Sequence, residues 1–138
     1  MPTTPRLTAR QQPLRAARTC YDHLAGVLGV AVTEALVARH ALIAEPTGDF
    51  RLGPAAEPAF AALGVDLAEQ LASRAGRPLL RSCLDWTERR PHLAGRLGAA
   101  VADSLLDAGW LARNSTGRSV AVTGRGRQQF ERSLGLDL

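Results

Sequence analysis

Two stretches of this chain, HLAGVLGVAVTEAL at residues 23–36 and HLAGRLGAAVADSL at 92–105, agree at nine of fourteen positions without a gap. A repeat of that length settles architecture before any element is assigned, because a copied unit folds the same way twice and buries its apolar side against its twin. The likeness extends outward. RTCYD at 18–22 returns as RSCLD at 81–85, Phe60 aligns with Phe130, and LGVDL at 63–67 aligns with LGLDL at 134–138. Thr47 and Gly48 match Thr116 and Gly117, and the second copy carries six extra residues, WTERRP, ahead of its HLAG. The division expected is a flexible leader at 1–13, a first unit at 14–72 and a second at 73–138, the two packed as one domain. SRAGRP at 73–78 is the only linker-like stretch.

Within the first copy Leu14, Ala17, Tyr21, Leu24, Leu28, Ala31, Ala35, Ala38 and Leu42 step by three and four, which predicts one long helix running through HLAG. Short apolar pieces (Leu42 to Ala44 and Phe50 to Leu52; Trp110 to Ala112 and Ser119 to Val122) flank turns with Pro46 and Gly48, or Asn114 and Gly117, and predict a hairpin in each copy. Closing helices are expected from about Pro58 to Leu63 and from Arg125 to Leu134. The fold class expected is therefore α+β, mainly helical: two winged-helix-like units, each a long helix, a β-hairpin and a short helix, related by a local twofold.

Composition narrows the classes. The chain has 138 residues, 46% of them apolar but only six aromatic, so Ala, Leu and Val must build the core. All 17 basic residues are Arg, giving a net charge of +4. No apolar run reaches the roughly 18 residues of a membrane span, and MPTTPRLTAR lacks a signal peptide's apolar stretch. Two Cys without a CxxC spacing suit a reducing cytoplasm. With no GxSxG, HExxH or phosphate-cradling glycine loop, the chain is expected to be no enzyme and to need no cofactor.

LAxxLGV at 24–30 also fits a helix-turn-helix, yet the residues after Gly29 offer bases only Thr33, Glu34 and one Arg, and the second copy offers two Asp. The competing reading is that Gly26, Gly29, Gly95 and Gly98 let two helices cross closely. Arg113, Arg118, Arg125 and Arg127 flank the second hairpin where a wing meets a phosphate backbone, unless they only solubilise a chain that has no Lys. Arg18 with Asp22, and Arg81 with Asp85, are placed to pair on a helix. Cys20 and Cys83 approach each other if the units pack about a twofold, with His23 and His92 a turn or more away; they form either a soft-metal or thiol-sensing set or buried apolar cysteines. Trp86, Arg89 and Arg90 of the insert either line a ligand pocket or, with Trp110, fill the junction. His40, replaced by Gly109 in the second copy, is expected on the surface.

LRAARTCYDHLAGVLGV at 14–30, GDFRLGP at 48–54 and CLDWTERRPHLAGRLGAAV at 83–101 resemble the C-terminal half of a branch of the ArsR family of bacterial transcriptional regulators. In that family this half follows an N-terminal winged helix-turn-helix that binds operator DNA as a homodimer. The resemblance implies an accessory half without its reader, acting as an effector-binding or dimerisation module. Its partners would be a small-molecule effector, DNA, a second copy or a separate helix-turn-helix protein, and no membrane. Its ligand cleft is expected near Cys20, Tyr21, His23, Cys83, Trp86, Arg89, Arg90 and His92. Direct DNA binding by the second unit, and a metal or thiol redox sensor using Cys20 and Cys83, are the alternatives. The family's metal residues lie outside this half, so none is carried over. Relatives open the last helix with LTPAG where this chain has LGPAA at 52–56 and VTGRG at 122–126, so the first copy lacks a capping Thr.

Overall fold

The structure, a computed structural model, describes residues 17–20, 23–73, 78–84, 88, 90–114 and 119–138, with residues 18 and 20 described by backbone alone. The repeated text does not form a helix at its start. His23–Ala25 is a strand, β2, paired antiparallel with β1 (Arg18–Cys20) in the register Arg18 to Ala25, Thr19 to Leu24 and Cys20 to His23. In the second half β5 (Arg81–Leu84) pairs with β6 (Pro91–Ala94), again with Arg81 opposite Ala94 and Cys83 opposite His92.

HLAG is a strand that turns directly into a helix. Gly26 and Gly95 have φ of 75° and 79°, a left-handed conformation that a residue with a Cβ adopts only at a cost. Through them the chain enters α1 (Gly26–Ala38) and α4 (Gly95–Asp107) with no loop. The first helical turn then lies against the strand just left: a Cβ at Gly29 would come within 2.6 Å of the Leu24 carbonyl oxygen, and one at Gly98 within 2.7 Å of that of Leu93. Neither junction has a side-chain cap. In α4 two of the exposed N–H groups donate instead to backbone, Arg96 to Pro78 at 3.0 Å and Leu97 to Leu79 at 2.9 Å.

The single helix predicted across 14–42 is thus corrected to a hairpin followed by a thirteen-residue helix. All three residues of β2 are buried, so no polar-apolar alternation marked it as a strand. The i to i+4 pairing of Arg18 with Asp22 and Arg81 with Asp85 falls with it, since 18–20 and 81–84 are strands; Asp22 and Asp85 lie outside the described residues. The helix-turn-helix reading of LAxxLGV falls as well. Gly29 and Gly98 pack each helix on its own strand rather than letting two helices cross.

Each helix is followed by the predicted hairpin, β3 (Leu42–Ala44) with β4 (Phe50–Leu52) and β7 (Leu111–Arg113) with β8 (Val120–Val122), then by α2 (Ala56–Ala62) or α5 (Gly124–Leu134). A further helix, α3 (Leu67–Ala72), was not anticipated; Asp66 caps it, accepting from the Glu69 amide at 3.2 Å. The fold is α+β, with five helices and four two-stranded antiparallel sheets among the described residues. Thr123 caps α5, its hydroxyl accepting from the Gly126 amide at 2.9 Å, whereas Ala55 at the head of α2 gives no side-chain cap.

The halves interlock. α1 packs against β6 and α4 against β2, β2 meets β6, and α5 reaches both α1 and α2. Their common core is centred on Phe60, Phe130, Leu36, Leu97 and Leu105, all fully buried. Trp110 is part of it, edge-on to Phe130 with ring centroids 5.1 Å apart.

α1 and α4 end alike. His40 N–H donates to Val37 and Ala41 N–H to Leu36, as Gly109 does to Leu106 and Trp110 to Leu105. Such an end needs a left-handed residue; Gly109 takes φ 77°, and exposed His40 takes 61°. His40→Gly should therefore raise stability by about 0.5–1 kcal/mol, relief of left-handed strain exceeding the entropy glycine loses. Chemical denaturation checks this; a destabilised variant would show that His40 has a role beyond closing the helix.

Candidate functional site

The interlocking brings the first residue of β2 against the second of β6. His23 and His92 hold matching places in the repeated text, and their rings meet at the seam with Nε2 to Nε2 at 3.0 Å, centroids 4.8 Å apart and planes tilted by 47°. His23 is 6% exposed and His92 fully buried. One ligand atom from each of His23, Cys83 and His92 lies within 4.8 Å of the others, with Cys83 half-buried. The Cys83 thiol also lies 3.9 Å from the Leu84 carbonyl, a weak contact.

The placement follows from local structure. Antiparallel register sets Cys83 opposite His92, and the strand-to-helix turn at Gly95 fixes where β6 ends. Gly98 leaves room for the neighbour, since a Cβ there would lie 3.3 Å from the Cβ of His23. An imidazole pair at this distance holds one donor and one acceptor nitrogen, or else two lone pairs directed at a shared cation. Two protonated rings so close in an apolar seam would repel strongly.

Thr33 on α1, one of the few polar residues that a base-reading helix here would offer, lies at the seam instead. It is buried; its hydroxyl donates to the Gly29 carbonyl at 2.8 Å and accepts the Leu93 N–H from the other half at 2.8 Å. The signal was in the repeat, where Thr33 is one of five positions that differ, with Ala102 in its place. Thr33→Val keeps the shape and strands the Leu93 amide, so a loss of about 1–3 kcal/mol is expected in denaturant unfolding. No measurable loss would mean that the amide finds another acceptor.

Of the other expected ligand residues, Tyr21, Trp86, Arg89 and the Cys20 side chain lie outside the described residues. Backbone pairing sets Cys20 opposite His23 as Cys83 is set opposite His92. The expectation that the histidines stand a turn or more from the cysteines is corrected for Cys83, whose sulfur lies within 4.8 Å of a ring nitrogen of each, because both histidines are strand residues. Arg90 is exposed and ion-paired with Glu34 of α1, rather than standing ready for an anion. That pair sits at the rim of a pocket of about 390 Å³ lined also by Thr33, Val37, Phe50 and Pro91. A more open groove of about 610 Å³ elsewhere is edged by Asp66, Glu69, Asp103 and Asp107 and shares no residue with the histidine cluster.

Arg113 ends β7, and Arg125 and Arg127 lie in the first turn of α5, all three exposed; Arg118 lies outside the described residues. Arg125 and Arg127, two apart on a helix, face different ways, and Arg127 donates to the carbonyl of Leu138. Among the described residues no helix is long and apolar enough to cross a membrane.

The chain is 34% identical over 128 residues to the uncharacterized HTH-type transcriptional regulator YdfF of Bacillus subtilis (strain 168). The alignment takes in 93% of this chain and 55% of YdfF, so the chain spans about half the length of that relative. No protein-family model matches it, and no solved structure does.

Proposed function

We propose that this chain acts in transcription regulation, as the effector-binding module of an ArsR-like regulator, and that the seam between its halves is where the effector is sensed. The likeness to a helix-turn-helix regulator along nearly its whole length supports the regulatory role. The observation that carries the sensing role is the buried contact of His23 with His92, since titratable groups gathered in an apolar seam are characteristic of functional sites. The 390 Å³ pocket with Thr33 and Pro91 in its wall offers room for a small molecule, and Pro91 precedes His92 in β6.

In this reading the two halves descend from one copied unit and sit about a local twofold, with the boundary between 72 and 73. The repeated order of hairpin, helix, hairpin and helix and the matching Cys to His register support it. A twofold seam suits a sensor because a ligand touching both halves shifts their relative placement, which a DNA-reading partner or a second copy would feel.

The test is transcript profiling of a host lacking the gene, complemented with the wild-type chain or with His92→Gln, the variant first shown by circular dichroism to be folded. The reading expects a small set of transcripts to change on deletion, to be restored by the wild type and not by the variant. Unchanged transcripts, or full rescue by His92→Gln, would overturn it.

Exposed Arg113 and Arg125 beside the second hairpin favour a second reading, direct DNA contact by that half. It predicts a duplex mobility shift that weakens steeply between about 50 and 200 mM salt and is lost on changing Arg113, Arg118, Arg125 and Arg127 to Ala. A salt-insensitive result would dismiss it.

A further inference from the structure

We infer that the seam holds one soft divalent cation of the zinc class, ligated by His23, His92 and Cys83. This deepens the effector reading above and rests on it only for the ion's role as a signal; the site itself rests on geometry.

Three observations converge. First, the two imidazole Nε2 atoms are 3.0 Å apart. Two nitrogens on one tetrahedral zinc, each at about 2.0–2.1 Å, are separated by about 3.3–3.4 Å, so the rings need only open by a few tenths of an ångström. Second, donor atoms of His23, Cys83 and His92 already lie within 4.8 Å of one another. A zinc-bound nitrogen and sulfur stand about 3.5 Å apart, a difference that rotation of one half-buried cysteine side chain spans.

Third, the donor set is nitrogen and sulfur, which favours zinc and its soft neighbours over magnesium or calcium. His92 is fully buried and His23 nearly so, which limits competition from water at their nitrogens.

The site would also fasten the halves, because His23 comes from the β1 and β2 hairpin and His92 and Cys83 from the β5 and β6 hairpin. Binding would then hold β2 and β6 at a fixed spacing, and its loss would free them.

The test is titration of the purified, reduced, chelator-treated chain with cobalt and then zinc. The inference expects saturation at one equivalent of cobalt, tetrahedral d–d bands, a thiolate-to-cobalt charge-transfer band and displacement of cobalt by zinc. His23→Gln, His92→Gln and Cys83→Ser should each weaken binding by tenfold or more, and Cys83→Ser should also remove the charge-transfer absorbance.

Because a buried His variant can fail to fold, X-ray absorption of the zinc-loaded wild type gives an independent reading. It should show nitrogen at about 2.0–2.1 Å together with sulfur at about 2.3 Å. No charge-transfer band at one equivalent, a shell without sulfur, or affinity undiminished in Cys83→Ser would overturn the site. Each of those results would leave the regulatory reading standing, since the deletion profile tests it separately.

Discussion

Phe130→Ala will lower the unfolding free energy by about 3–5 kcal/mol. Phe130 is fully buried on α5, edge-on to Trp110, in the helix that touches both α1 and α2. Truncating the ring removes its transfer free energy and leaves a cavity which neighbours can close only by shifting α5. Trp110 anchors one side from the residue before β7, and Thr123 anchors the start of the helix through its cap and its bond to the Gly109 carbonyl at 2.6 Å. The site cannot collapse cheaply, which places the loss in the upper part of the range. A domain of this size commonly has about 5–15 kcal/mol in all, so the variant should be near its limit at physiological temperature. Guanidinium unfolding should show a lower midpoint with an unchanged slope. A loss below about 1 kcal/mol would mean that α5 is not part of the core.

Gly98→Ala should cost about 3 kcal/mol, while Gly124→Ala should cost nothing or stabilise by up to about 1 kcal/mol. Both glycines lie in the first turn or at the first residue of a helix, where propensity alone would favour alanine at both. At Gly98 the added methyl would meet the Leu93 carbonyl oxygen at 2.7 Å and the His23 Cβ at 3.3 Å, so both the strand backbone and the seam must move. At Gly124 it would meet nothing within 4 Å. The pair separates steric exclusion from glycine's backbone entropy, because only the first changes between the two sites. Equal effects would contradict the strand-on-helix packing assigned to HLAGxLG.

That packing also shows where the sequence was legible. The hairpins were placed to within a residue or two because they carry turn residues between short apolar pieces, and α5 because Thr123 and Gly135 mark its two ends. HLAG was misread because a fully buried three-residue strand has no period of its own, and its apolar residues happened to extend the helical stripe of α1. Only Gly26 and Gly95, with their left-handed backbone, distinguish the two readings, and a glycine in an Ala-rich run carries little weight in a periodicity argument. The histidines were named as site residues but set a turn or more from the cysteines, an error that follows from the same misreading of strand as helix. Thr33 was visible only as a mismatch with Ala102. Nothing in the text indicated that Arg90 would be engaged by Glu34, because the pair joins elements 56 residues apart.

The sensing role and the metal site proposed above both depend on the two HLAG strands meeting ring to ring. Proton NMR of the metal-free chain, with its three histidines assigned by substitution, tests that contact without presuming an ion or a promoter. Ring centroids 4.8 Å apart predict nuclear Overhauser effects between the carbon-bound ring protons of His23 and His92. Ring protons that show effects only to their own halves of the chain would contradict the account.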